Sequence, residues 1–177
     1  MKQTIAKMIV SLALVSSVFS LNQVYAFNLV SEQVPQTDKF PTQPDPVLTP
    51  GKLCNHPTEY RYPANIAYCE RNVTQQVKKK IFEAYDKRLG FRTRTMERND
   101  FKIDHFIPLS IGGGNDFENL WPQHKSVYEY TDRVESHVAN LIAQDKITQS
   151  EAVRVVKECK LNIPRCADLE DYLKSLY

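Results

Sequence analysis

One segment, Phe101–Gln123, constrains the fold of this chain more than any other. It opens with an apolar, β-rich run whose alternation is typical of a strand, and Pro108 must end that strand or place it at a sheet edge. Three consecutive glycines, Gly112–Gly114, then favour a flexible turn, and Leu120–Trp121 is a candidate return strand before Pro122. The segment therefore predicts a β-hairpin with a wide loop.

The hairpin carries the one cluster of residues with recognisable chemistry. Asp104 and His105 stand side by side at the end of the first strand, and the glycine loop leads to Asn119. A carboxylate beside an imidazole supplies two parts of metal-assisted phosphodiester hydrolysis: a hard oxygen ligand for a cation, and a base that accepts a proton near neutral pH. We therefore expect a cation on Asp104 and the ring of His105 to converge on one scissile phosphate.

Helical patterns flank the hairpin on both sides. Before it, Thr74 is a candidate N-cap, apolar residues recur at helical spacing, and Gly90 ends the pattern, so a helix is predicted over residues 74–89. After it, three helices are marked by capping boxes and apolar stripes: Ser126 with Glu129, Thr148 with Glu151, and a short helix over residues 169–176. The pattern predicts an α+β domain with helical cover at its carboxyl end.

The first 50 residues have the composition of export and linker sequence. Residues 1–26 combine two lysines, an apolar run and a cleavage site at Ala26, which is typical of a secretory signal peptide; a retained N-terminal anchor is the alternative. Residues 27–50 hold five prolines among polar residues and predict an extended linker. Residues 51–177 then form one domain, soluble and secreted or periplasmic, with no membrane contact after cleavage.

Four cysteines indicate disulfides, because the chain is expected to be exported and neither pair has the Cys-x-x-Cys spacing of a zinc site. Three connectivities exist. We expect nearest neighbours to pair, Cys54 with Cys69 and Cys159 with Cys166; free thiols are the alternative.

The net charge of the expected mature chain excludes no class of binding partner, but the distribution of charge along the chain is informative. Without residues 1–26 the chain has 21 basic and 21 acidic residues. Residues 71–102 alone carry ten Lys or Arg against four acids. This local excess indicates a surface that attracts phosphate.

The motif around the hairpin resembles the core of HNH nucleases, which have the ββα-metal fold. The resemblance is carried by Asp104-His105, Ile107–Leu109, Gly112-Gly113 and the run from Asn119 to Pro122. It covers roughly residues 74–160 and is close over residues 101–123. More narrowly, Lys80–Tyr85 before the motif and Asn119–Gln123 after it resemble small exported bacterial proteins with the HNH signature. It implies a ββα hairpin-plus-helix core with an N-terminal helix and C-terminal helical cover.

The resemblance also implies roles for three residues. His105 matches the general base that deprotonates the attacking water, and Asp104 matches the carboxylate that binds one divalent cation, usually Mg²⁺, with Mn²⁺ as the alternative. Asn119 matches the asparagine that holds the loop and orients the histidine through hydrogen bonding. Cleavage in the family usually leaves a 5′-phosphate and a 3′-hydroxyl.

One position departs from the family pattern. The helix residue that completes the metal site falls on Tyr128, which is a poor magnesium ligand. Glu129 is the first choice for the missing ligand, and His124 and Asp132 remain open. The alternative role of Glu129 is to complete the capping box with Ser126.

Six basic residues are the expected phosphate contacts, because they precede the active strand and make up much of the local positive excess: Lys78, Lys79, Lys80, Arg92, Arg94 and Arg98. No recognition helix or zinc finger is evident in the sequence, so weak sequence selectivity is expected.

The sequence therefore predicts a monomeric, exported, metal-dependent HNH endonuclease acting on DNA, with RNA as a second substrate. Two other classes stay open: a nucleic-acid-binding module that keeps the scaffold but lacks catalysis because of Tyr128, and a secreted helical protein that binds another protein. No motif in the sequence indicates an inhibitor protein that would protect the cell producing the nuclease.

Overall fold

The structure, a computed structural model, describes residues 39–177. The predicted signal peptide and residues 27–38 of the predicted linker lie outside the described residues. The described part is α+β, with two two-stranded antiparallel sheets and four α-helices. In chain order the elements are β1 (Glu59–Arg61), β2 (Ile66–Tyr68), α1 (Gln75–Leu89), β3 (Phe101–His105), β4 (Leu120–His124), α2 (Lys125–Ala143), α3 (Gln149–Leu161) and α4 (Cys166–Lys174).

The predicted hairpin is confirmed as β3 and β4, which pair antiparallel with Phe101 opposite His124 and His105 opposite Leu120. The return strand is longer than predicted, because it continues through Pro122 to His124. Pro122 is tolerated because each strand of a two-stranded sheet has one free edge, where no ladder hydrogen bond is lost.

Two glycines of the loop between β3 and β4 are needed for different reasons. Gly112 has φ +92°, in the left-handed region that side chains rarely adopt. A Cβ on Gly113 would lie 1.8 Å from the carbonyl oxygen of Ile107, so only glycine allows this close approach. The amide of Gly113 also donates to the Pro108 carbonyl, which folds the loop back on its own start.

The helix α1 begins and ends as predicted. The Thr74 hydroxyl accepts from the amide of Val77, and Gly90 closes the helix with φ 77°. The start of α2 differs from the prediction, since the N-cap is His124, whose ring accepts from the Ser126 amide. The predicted capping box of Ser126 and Glu129 is therefore wrong, because the helix already begins at Lys125.

The carboxyl third is helical cover, as predicted. In α3, Thr148 caps the Glu151 amide, and the last helix covers Cys166–Lys174, slightly earlier than predicted. The stripe of Val134, Val138 and Leu141 on α2 is fully buried among the apolar faces of the other helices. This packing gives the hairpin a rigid support.

Residues 39–50 pack on the domain, so this part of the predicted linker is wrong. The ring of Phe40 stacks on His124 with 3.9 Å between ring centres. The Thr49 hydroxyl donates to the Leu120 carbonyl, and the Tyr85 hydroxyl accepts from the amide of Asp45. A buried aromatic ring and these buried hydrogen bonds outweigh the extended preference of a proline-rich composition.

Both predicted disulfides are present, Cys54–Cys69 and Cys159–Cys166. Disulfides persist in oxidising surroundings, so they indicate an extracellular or periplasmic environment. Within residues 39–177, none of the helices has the length and apolar character needed to span a bilayer.

Removing the disulfides should destabilise the protein to different extents. Paired Cys54→Ser and Cys69→Ser substitutions should lower the free energy of unfolding by about 3 kcal/mol, because the bridge closes a loop of 15 residues. The second bridge closes a separation of only 7 residues and should contribute less to loop entropy. Urea unfolding measures both. Alkylation of all four cysteines in the unreduced protein would contradict the pairing.

Candidate active site

His105 lies at the end of β3 with its ring almost buried, at 3% exposure. Its Nε2 is 3.1 Å from Asn115 Oδ1, and its Nδ1 is 3.3 Å from an Arg71 guanidinium nitrogen. The amide of Asn115 is fixed, because its Nδ2 donates to the Glu70 carbonyl and its Oδ1 also accepts from the amide of Asn72. An oxygen acceptor at Nε2 places the proton on Nε2, so the Nδ1 lone pair faces Arg71.

The surroundings of His105 favour the neutral ring. Burial lowers the pKa of His105 to about 4, and the positive charge of Arg71 acts in the same direction. The hydrogen bond with Asn115 and the charge of Asp104 oppose this shift without cancelling it. At neutral pH the imidazole is therefore unprotonated at Nδ1.

Asn119 holds the loop, but its side chain does not hold the histidine. Its amide is fully buried, accepts from the Ile107 amide at 2.8 Å, and donates to the carbonyls of Ile107 and Gly114. The predicted hydrogen-bond support of His105 by the Asn119 side chain is replaced by Asn115, four residues earlier on the same loop. The backbone carbonyl of Asn119 does accept from the amide of Phe106, next to His105.

Asp104 and His105 point to opposite sides of β3, as successive residues of a strand do. The Asp104 carboxylate meets the Lys160 ammonium at 2.6 Å and the Lys102 ammonium at 3.7 Å. Burial alone would raise the pKa of Asp104, but these two ammonium groups hold it below the ordinary value. The expected convergence of Asp104 and His105 on one phosphate is therefore not what the fold provides.

The side of α2 that faces Asp104 carries Tyr128, Asp132 and Glu135, which helical geometry places together. Lys102 binds Asp132 at 2.8 Å and lies 4.7 Å from the centre of the Tyr128 ring. Glu129 is exposed and is turned away from this side by the helical rotation of one residue. The carboxylate that shares a partner with Asp104 is Glu135, whose Oε1 lies 2.7 Å from Lys160 Nζ.

The other candidate ligands are also engaged elsewhere. His124 caps α2 and stacks on Phe40, and Asp132 is held by Lys102. Among residues 39–177, no group of three or more His, Cys, Asp or Glu side chains could hold a metal ion. Since the one carboxylate on β3 is neutralised by two ammonium groups, the residues at Asp104 do not fit a divalent cation.

An open cleft of about 520 Å³ lies next to the two side chains that contact the His105 ring. Arg71 and Asn115, the two groups that contact the ring, form part of its wall. The full lining is Asn55, His56, Thr58, Cys69, Glu70, Arg71, Asn72, Asn115 and Asp116. A ligand in the cleft would meet Arg71 and Asn115 before the imidazole, because His105 is 3% exposed and is not part of this lining.

The disulfide Cys54–Cys69 helps to position Arg71 in this wall. Cys54 donates its amide to the Gly112 carbonyl, so one end of the bridge is fixed on the glycine loop. The other end, Cys69, is two residues before Arg71. The guanidinium of Arg71 is then set by its bonds to the Ile103 carbonyl and to His105.

Four of the six predicted phosphate contacts line one groove of about 210 Å³: Lys78, Lys79, Arg94 and Arg98. Arg98 lies over the Phe82 ring at 4.7 Å, and Arg94 pairs with Asp86 at 3.3 Å. Arg92 lines a separate depression, and Lys80 is exposed on α1 outside the lining of this groove.

Sequence reasoning missed Arg71, Asn115, Glu135 and Lys160. Asn115 directly follows the glycine cluster and Arg71 closely follows a cysteine, so both had a local marker. Lys160 and Glu135 had none, because each is an ordinary charged residue in a helical pattern.

Comparisons with known proteins assign no family to this chain. No family model matches it, and neither curated proteins nor solved structures give a match. Any function must therefore be inferred from the site itself.

The His105 ring should remain neutral far into the acid range. Because its folded pKa is about 4 against an ordinary value of 6.5, folding favours the neutral form. The associated stability is present above pH 6.5 and is lost as the pH falls through about 4, amounting to about 3 kcal/mol. NMR titration of the ring measures this midpoint, with the urea-unfolded chain as reference. A midpoint near 6.5 in the folded protein would contradict the assignment.

Proposed function

We propose that this chain is an exported nuclease that hydrolyses phosphodiester bonds of DNA, and secondarily RNA, with His105 as the general base. The supporting core is the ββα arrangement of β3, β4 and α2, with the loop held by Asn119. The observation that carries the proposal is a neutral imidazole whose lone pair faces an arginine on the wall of an open cleft. Strongly shifted titratable groups in clefts are characteristic of functional sites.

Arg71 links substrate binding to release of the base. In the free protein its guanidinium shields Nδ1 of His105. A phosphate in the cleft binds a guanidinium more strongly than a neutral imidazole does, so it draws Arg71 away from the ring. Nδ1 then accepts a proton from water while the water oxygen attacks phosphorus, the ester bond breaks, and the leaving oxygen takes a proton from solvent. The phosphate anion also favours the imidazolium that forms.

The positive surface on α1 and the segment after it supports a nucleic-acid substrate. Lys78, Lys79, Arg94 and Arg98 surround one groove, and the shared feature of all nucleic acids is the phosphate backbone. Such contacts position a duplex without reading bases, which fits low sequence selectivity. No step is assigned to Mg²⁺ or Mn²⁺, because the carboxylate expected to bind the cation is held by two ammonium groups.

A second candidate is a nucleic-acid-binding module without catalysis. It is favoured by the engagement of both ring nitrogens of His105 and by its near-complete burial. A general base must have a free lone pair when the substrate is bound. In this second candidate the Arg71 guanidinium stays at Nδ1 of His105, so the ring cannot act as a base.

Cleavage of plasmid DNA tests the proposal directly. His105→Ala should lower the rate at least about 100-fold, because general-base catalysis typically contributes that much. His137→Ala is the matched control, since His137 on α2 contacts Tyr177 and Glu170 instead of the cleft. Equal rates for wild type and His105→Ala would remove His105 as the base. Salt-sensitive binding without cleavage in Mg²⁺, Mn²⁺ or EDTA would favour the second candidate.

The groove residues should set the salt dependence of binding. A Lys78→Ala, Lys79→Ala double variant should weaken DNA binding equally for unrelated sequences and reduce the slope of log K against log salt by about 2. A Lys146→Ala, Lys174→Ala variant is the control, because these lysines contact the Tyr177 carbonyl and Glu170. An unchanged slope in the groove variant would place the nucleic acid elsewhere.

A further inference from the structure

The ammonium of Lys160 is fully buried and surrounded by oxygen. Its Nζ lies 2.6 Å from Asp104 Oδ2, 2.6 Å from the His105 carbonyl oxygen and 2.7 Å from Glu135 Oε1. An isolated ammonium is costly to bury, and three close oxygens are what makes this burial tolerable. The arrangement is therefore a specific cation site and not a chance surface contact.

The oxygens come from separate parts of the chain. Asp104 and His105 belong to β3, Glu135 belongs to α2, and Lys160 reaches them from the last turn of α3. Two carboxylates and one carbonyl form the kind of all-oxygen set that hard divalent cations take in proteins. In this chain the lysine nitrogen stands at the centre of that set.

We propose that Lys160 is the resident cation of this site and takes the place that a divalent metal ion would have between Asp104 and Glu135. Its ammonium lies against both carboxylates without a metal, and burial nonetheless raises the pKa of Glu135 to about 7. Any chemistry at His105 consequently does not depend on a metal ion bound to Asp104. The Lys160 site is independent of the proposed nuclease function. One consequence does rest on that function: cleavage should persist in EDTA.

Several contacts exclude a metal ion while Lys160 is present. The ammonium has no exposed surface, so an incoming ion would have to displace it from a packed interior. Lys160 follows Cys159, whose disulfide to Cys166 fixes this end of α3. A second positive charge, Lys102, lies 3.7 Å from the other Asp104 oxygen and repels cations from that side. Mg²⁺ also gives up its hydration shell reluctantly.

Removing the lysine side chain should create a metal site. Lys160→Ala removes the ammonium that pairs with Glu135 and leaves Asp104 with the more distant Lys102, so Tm in EDTA should fall by about 10 °C. Mn²⁺ should restore most of this loss in a saturable manner with one ion per chain, while wild-type Tm should not respond to Mn²⁺ or EDTA. Lys157→Ala is the matched control, because this lysine of the same helix binds the Pro50 carbonyl. The Lys160→Ala, Glu135→Gln double variant should lose most of the Mn²⁺ response.

Mn²⁺-induced broadening of amide NMR signals in the wild-type protein provides a second test that does not need the variant to fold. Signals of residues 103–106 should be unaffected by Mn²⁺. Selective broadening there, or a folded Lys160→Ala variant that ignores Mn²⁺, would overturn the proposal. Cleavage assays in EDTA separate the two proposals: absence of cleavage under all conditions removes the nuclease function and leaves the metal-binding result unchanged.

Discussion

The buried ion pairs of Lys160 are the interaction on which the arrangement of the domain depends. They join β3 to α2 and α3, because Asp104, Glu135 and the lysine come from three different elements. A two-stranded hairpin is marginal in isolation, so its orientation must be set by what it packs against. Breaking one partner of such a buried pair costs about 3–5 kcal/mol, since it leaves an uncompensated charge. The hairpin is therefore fixed to the helical cover by charge as well as by apolar packing.

The loop that closes the hairpin is shaped by a different constraint, the close approach of backbone segments. Gly113 lies against the Ile107 carbonyl, and Asn119 bonds both backbone groups of Ile107. With Asn119 occupied in this way, the neighbouring Asn115 is the amide that holds His105. One asparagine shapes the loop and the other sets the tautomer of the ring.

The features that follow from local chemistry were predictable from the sequence, and those that depend on distant residues were not. The Thr74 cap, the Gly90 end of α1 and the glycine loop each need only neighbouring residues. Phe40, in contrast, is buried by residues more than 60 positions away, and its proline-rich surroundings concealed this. Lys160 lies 56 residues from Asp104, so no spacing rule could connect them.

The division of β3 into two sides explains why adjacency in the sequence was misleading about the site. Lys102 and Asp104 share the side that meets α2, where lysines pair with Asp104 and Asp132. His105 is on the side that meets Arg71, and Arg71 lines the open cleft. The proposed chemistry on a phosphate therefore belongs to the second side, while the first side keeps the strand in place. Successive residues of a strand face opposite sides, and β3 continues through both Asp104 and His105, so their adjacency in the sequence does not bring their side chains together.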